Sequence, residues 1–149
     1  EPERTALDAL RARADPVQHA LIGAHVTLVR DEDVADWDAV RARLARLEPR
    51  AIELELGPPT ELEGGAVALP ARGPCAGFEA LRAALLAGQP GLARTPTPHI
   101  TLLHPRNRAR WGLTAAELLA LPQPARVTLT APVLIEQESG KPWELAKRL

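Results

Sequence analysis

The sequence predicts an α+β domain assembled from two similar halves. Three observations carry that prediction. Stretches with apolar residues at helical spacing alternate with short stretches of period-two or β-branched character. The order strand, helix, strand, strand occurs twice, over about 21–70 and about 97–147. Each run opens on the same pattern, His-aliphatic-Thr-Leu, within AHVTL at 24–28 and PHITL at 98–102.

Leu7, Leu10 and Ala14 recur at helical spacing over residues 4–14, and Asp15-Pro16 ends that helix. LIGAHVTLVR, residues 21–30, is rich in β-branched residues and predicts a strand. In DEDVADWDAVRARLARLEPR, Asp33 can cap a helix whose face carries Val34, Trp37, Val40, Leu44 and Leu47, and Pro49 closes it. Ile52, Leu54 and Leu56 alternate with Glu53 and Glu55, as a half-buried strand requires. PPTELEGG supplies turn residues before a partner strand in AVALPARG. GFEALRAALLAG predicts a helix from about Gly77 to Gly88, and QPGLARTPTP a loop. PHITLLHP is the next strand. LTAAELLALP is a short helix, with Thr114 as cap and Glu117 three residues on. ARVTLTAPVLIEQ and KPWELAKRL predict two further strands around a turn at SGKP.

Composition narrows the function. A chain of 149 residues, 46% hydrophobic and 25% charged, fits one soluble domain over 1–149. Its net charge of −1 gives no bulk attraction for nucleic acid, so an anionic ligand needs a local basic patch. The single Cys75 excludes an intrachain disulfide and a multi-cysteine metal site, and fits a reducing, cytoplasmic setting. No stretch approaches the ~20 apolar residues of a spanning helix, so no membrane partner is expected. With no Tyr and one Phe, the three tryptophans and Phe78 are the large aromatic surfaces for stacking a base.

The repeated tetrapeptide carries the chemistry. Side chains alternate along a strand, so His25 and Thr27 share one face and Val26 and Leu28 the other. His99 and Thr101 share a face likewise, with Ile100 and Leu102 behind them. If the halves meet about a pseudo-twofold axis, two imidazoles and two hydroxyls surround one small volume. That set suits phosphodiester cleavage without a metal: one imidazole takes a proton, the other gives one, and the hydroxyls hold phosphate oxygens. A single His-x-Thr is usually structural; two in matched strands weigh the other way.

AHVTLV at 24–29 and PHITLL at 98–103 resemble the paired motifs of the two-histidine (2H) phosphoesterases, which include RNA 2′,3′-cyclic phosphodiesterases historically called 2′-5′ RNA ligases. The resemblance implies two lobes, each a small antiparallel sheet with flanking helices, around a central cleft. It implies His25 and His99 as the acid–base pair, Thr27 and Thr101 as phosphate-binding hydroxyls, no cofactor and no metal. The implied substrate is a 2′,3′-cyclic phosphate on a nucleotide or an RNA 3′ end; a monomer is expected. Members of the family commonly begin with a strand, whereas this sequence begins with the helix.

Around the pair, Arg106, Arg108 and Arg110 follow the second motif in HPRNRARWG, with Arg106 the best placed for a phosphate and Trp111 for stacking on a base. Strict alternation puts Arg30 on the face opposite His25. His104 has the wrong parity and precedes Pro105, which makes it a strand-end residue; His19 reads as surface. Trp37 and Trp143 read as packing residues and Cys75 as inert. No zinc-ligand spacing links the four histidines. Two alternatives stay open: a hydrolase of cyclic dinucleotides, cyclic oligonucleotides or 2′-5′ linkages, and a nucleotide- or RNA-binding module without turnover.

Overall fold

The computed structural model of the chain describes residues 2–48, 50–109, 115–120, 124–138 and 141–147. Mixed helices and antiparallel strands make an α+β fold with an open sheet. Helix α1 (Pro2–Ala14) buries Leu7, Leu10 and Ala14, the stripe expected from their spacing. Asp15-Pro16 ends it, and also starts a second helix that periodicity does not reveal. Asp15 Oδ1 accepts the Gln18 N–H at 3.0 Å and Pro16 takes the first helical position of α2 (Pro16–Leu21).

Helix α3 (Trp37–Leu44) begins later than expected. Its cap is Asp36, whose Oδ1 accepts the Ala39 N–H at 3.1 Å, and Trp37 is half-buried rather than in the core. Asp33 is diverted to a buried ion-pair cluster. It accepts from the Arg30 backbone N–H (3.0 Å), Arg82 Nη1 (3.1 Å) and Arg94 Nη1 (3.1 Å). Arg82 Nη2 also donates to the Gly91 carbonyl at 2.9 Å. Gly91 packs so tightly on Asp33 that an added Cβ would stand 2.3 Å from the Asp33 Cβ. The cluster therefore pins the turn at 31–33 to the turn at 90–93.

Strand β1 (Ile52–Leu56) keeps the expected alternation, with Ile52, Leu54 and Leu56 buried and both glutamates exposed. It is followed by β2 (Thr60–Glu61) and β3 (Val67–Arg72), then helix α4 (Ala76–Leu85) and strand β4 (His99–Leu103). Helix α5 (Ala115–Leu119) precedes β5 (Arg126–Leu129), β6 (Leu134–Glu136) and β7 (Glu144–Lys147). The expected terminator Pro49 and the expected N-cap Thr114 lie outside the described residues. β3 is the hub of a five-stranded sheet, pairing antiparallel with β1, β2 and β4, while β5 adds to the far edge of β1. β6 and β7 form a separate hairpin. The stretch read as one strand over 125–137 is thus two, with a break that contains Pro132, which has no N–H for a ladder. Strands from both halves of the repeat share the large sheet, in place of one sheet for each half.

One face of the sheet packs Leu69, Ile100 and Leu102 under Leu7 and Leu10 of α1. Phe78 of α4 covers Ile52 and Leu54. Of the stretch predicted as a strand over 21–30, Leu21 ends α2 and the rest forms only an isolated antiparallel bridge, Val26 to Ile100. Side chains take the backbone groups that a ladder would use. Asp8 Oδ1 accepts the Ala24 N–H at 2.7 Å, Arg11 Nε donates to the Ile22 carbonyl at 3.1 Å, and Arg82 Nη1 to the Leu28 carbonyl at 2.6 Å.

Burial alone would raise the Asp33 carboxyl, but the hydrogen bonds from Arg82 and the Arg30 N–H, with the charges of Arg82 and Arg94, hold it below the ordinary carboxylate range. Arg82→Ala leaves that carboxylate short of its main partner, and a loss of about 3–5 kcal/mol is expected in urea unfolding. A depressed folded-state value stabilises fully above the unfolded value of about 4 and loses its effect as pH falls through the folded one. Asp33→Asn should accordingly flatten the acid limb of stability against pH.

Candidate active site

The Val26–Ile100 bridge decides what the two motifs can do together. Its residues are antiparallel partners, and both side chains pack into the core behind the site. One position to either side, His25 falls opposite Thr101 and Thr27 opposite His99. All four side chains belong to the face opposite Val26 and Ile100. The two histidines stand on the diagonal of this arrangement, a relation that in antiparallel pairs spans about 7–8 Å. Thr27 and His99 line one depression at the surface, as this register requires. The register of the bridge puts two threonines and two histidines, far apart along the chain, on one face of the paired segments, and Thr27 and His99 are the two that line the depression.

The histidines share a second feature. His25 Nδ1 lies 2.9 Å from the carbonyl of Gly23, and His99 Nδ1 2.9 Å from that of Thr97. A carbonyl can only accept, so each Nδ1 carries the proton and donates it two residues back. Each Nε2 is left as the lone-pair nitrogen of the neutral ring. His104 is the reverse case. Its Nδ1 receives the Arg106 backbone N–H at 3.3 Å and Nε at 3.1 Å, and an arginine can only donate.

Burial holds the His25 imidazole below the ordinary histidine value. The bond to the Gly23 carbonyl works the other way, and the positive charges of Arg11 and then His99 add to the lowering. The neutral form of His25 is favoured near pH 7.

Other expected residues are distributed unevenly. Arg106 folds onto His104 at the end of β4 away from His99, so it is not brought to the pair. Arg108 is committed to Glu61 through two bonds of 2.6 and 2.8 Å. Arg110 and Trp111 lie outside the described residues. His19 is half-buried in α2 rather than on the surface, and its Nδ1 has no hydrogen-bond partner. Trp143 is exposed. Cys75 is buried at the start of α4, away from both motifs in sequence.

Among the described residues, Arg30 and Arg94 are basic residues that do reach the site. Both are half-exposed and line the depression with Thr27 and His99, and Arg82 lies beneath them with Asp33. Parity argued against Arg30, but the chain leaves its extended path there and turns into the segment Asp31–Asp33. Arg94 sits in LARTPTP, where only the loop is readable from sequence. Among the described residues, no cluster of three or more His, Cys, Asp or Glu is placed to hold a metal ion, and no helix is long and apolar enough to cross a membrane.

A family model described as the 2′-5′ RNA ligase superfamily matches residues 1–141. No curated protein and no solved structure matches the chain.

The hydrogen bonds make a direct prediction about tautomers. In neutral rings, ¹⁵N chemical shifts should report Nδ1–H for His25 and His99 and Nε2–H for His104. Nε2–H at either motif histidine would remove the free nitrogen from the site.

Proposed function

The chain belongs to the 2′-5′ RNA ligase superfamily, which is the 2H phosphoesterase superfamily, and on that premise we propose that it is a phosphodiesterase opening 2′,3′-cyclic phosphates by two-histidine acid–base catalysis. The superfamily is generally catalytic and acts on RNA or nucleotide substrates. In the proposed reaction one neutral Nε2 takes a proton from water as the water oxygen attacks phosphorus. The bond from phosphorus to a ribose oxygen breaks, and that oxygen takes a proton from the other, protonated imidazole. One water is consumed, and the pair ends with its proton exchanged between the rings. Thr27 and Thr101 donate to the non-bridging oxygens and keep the phosphorus between the imidazoles. The two halves of the repeat form the walls of the substrate cleft in this reading.

The observation that carries the reading is the matched hydrogen bonding of the two histidines. A packing histidine has no need to keep Nε2 free, and here each ring donates its Nδ1–H to the carbonyl two residues back. Arg30 and Arg94, half-exposed beside Thr27 and His99, share Glu32 at 3.7 and 3.6 Å, and a second substrate phosphate, as in an oligonucleotide end or a cyclic dinucleotide, would compete with that carboxylate for them.

A panel of 2′,3′-cyclic mononucleotides, RNA ending in a cyclic phosphate, 2′-5′ dinucleotides and cyclic dinucleotides, assayed with a chelator present, tests the proposal. Turnover is expected on a cyclic-phosphate end and is expected to survive chelation. His25→Ala and His99→Ala should each lower kcat by about 10²–10⁴-fold with the circular dichroism spectrum unchanged. Thr27→Val and Thr101→Val should cost about 10²-fold each. Tight binding with no turnover of any substrate would leave a binding module instead.

A further inference from the structure

We propose that Arg30 and Arg94 hold the phosphate on the 5′ side of the ribose that carries the scissile cyclic phosphate, and that Glu32 is the group this phosphate displaces. The site then selects substrates with two phosphates on one ribose over a cyclic mononucleotide with one. This rests on the two-histidine reading above and names its substrate class. Arg30 lies three residues past Thr27 and Arg94 five residues before His99, and all four line one depression. The basic pair therefore flanks one corner of the motif face, that of Thr27 and His99. A cyclic phosphate closes the 3′ end of a chain, so the nearest further phosphate is the one on the 5′ oxygen of the same sugar.

Two carboxylates meet the arginines here, and they differ in how firmly they are held. Asp33 is buried, with Arg82 Nη1 and Arg94 Nη1 each donating to it at 3.1 Å. Arg94 is thereby anchored from below while its side chain stays half-exposed, so its place is set before a ligand arrives. Glu32 is itself half-exposed, and its Oε1 lies 3.7 Å from Arg30 Nη1 and 3.6 Å from Arg94 Nη1. Both distances are too long for hydrogen bonds, and an exposed ion pair of this kind contributes little in water. One carboxylate oxygen thus lies between two guanidiniums, where a ligand anion would be drawn. A phosphate brings more oxygens and can make with each guanidinium the hydrogen bonds that Glu32 does not. A substrate without the second phosphate leaves the Glu32 contact in place and gains nothing from either arginine.

Two readouts separate this inference from the reaction it rests on. Calorimetric binding needs no turnover, and compares adenosine 2′- and 3′-monophosphate with the matching 2′,5′- and 3′,5′-bisphosphates. The intact protein should favour the bisphosphates by about 10-fold. Glu32→Gln should widen that preference by about 2- to 5-fold, and Arg30→Gln should narrow it. A loss of structure in a variant would weaken all four ligands alike, whereas the proposal concerns their ratio. A ratio near one in the intact protein, no binding of any of the four, or a ratio that Glu32→Gln leaves unchanged overturns the proposal. The second readout is kcat/KM on adenosine 2′,3′-cyclic phosphate, its 5′-phosphorylated form and a dinucleotide ending in the cyclic phosphate. The second and third substrates should exceed the first by about 10-fold. A gain confined to the 5′-phosphorylated mononucleotide makes the second phosphate a terminal one, and a gain shared by the dinucleotide makes it an internucleotide one. Equal turnover of all three overturns the inference and leaves the phosphodiesterase standing. Absence of turnover with the expected binding ratios counts against the phosphodiesterase alone.

Discussion

A single contact between two strand-like segments sets which way the motif side chains face. Val26 and Ile100 face the same core and bridge antiparallel. Because side chains alternate at each step, this one pairing fixes the facing of His25, Thr27, His99 and Thr101 at once. A slip of one residue in either segment would turn that segment's histidine and threonine into the core and its aliphatics into solvent. The apolar backs of the motifs therefore do as much for the chemistry as their polar fronts. Ile100 is buried among Leu69, Leu102, Leu7 and Leu10, which sets the cost of such a slip at several buried aliphatic side chains.

The bridge does not grow into a ladder, and the reason lies in α1 and α4. Asp8 takes the Ala24 N–H, and Arg11 and Arg82 take the carbonyls of Ile22 and Leu28. The first motif is held by helices on one side and by one strand residue on the other. The second motif has the regular support of β3 on one side. Below the patch, the Asp33–Arg82 pair joins the exit from the first motif to the approach to the second, through the turn at Gly91. The two segments are thus tied twice, by an apolar bridge and by a buried ion pair.

Much of this was legible in the chain itself. The alternation of Ile52, Leu54 and Leu56, the stripe of α1 and the doubled His-x-Thr pattern each have a period that maps directly onto one face of an element. What could not be read depends on partners distant in sequence. Arg11 and Arg13 stand two apart in LRARAD, and nothing local says that the first is buried across two carbonyls while the second is exposed. Asp33 has the chemistry of a helix cap, but Arg82 and Arg94, drawn from other parts of the chain, compete for its oxygens. α2 escaped because a six-residue helix covers fewer than two turns, so the double use of Asp15-Pro16 is its only mark. The sharing of one sheet by both halves follows from β3 pairing across the repeat, which element order does not specify. At the site, the motif histidines were readable, whereas Arg94 depended on where a proline-rich loop came to rest.

The diagonal placement of the histidines has a further consequence for the proposed reaction. A ribose cyclic phosphate offers two different ester oxygens to a patch whose own halves are nearly interchangeable. Such a patch does not by itself choose which ester bond opens; the choice passes to how the sugar is seated. Regiochemistry, on this view, belongs to whatever grips the nucleoside and to whatever makes the two imidazoles unequal. A patch with perfect twofold character would release both phosphate isomers.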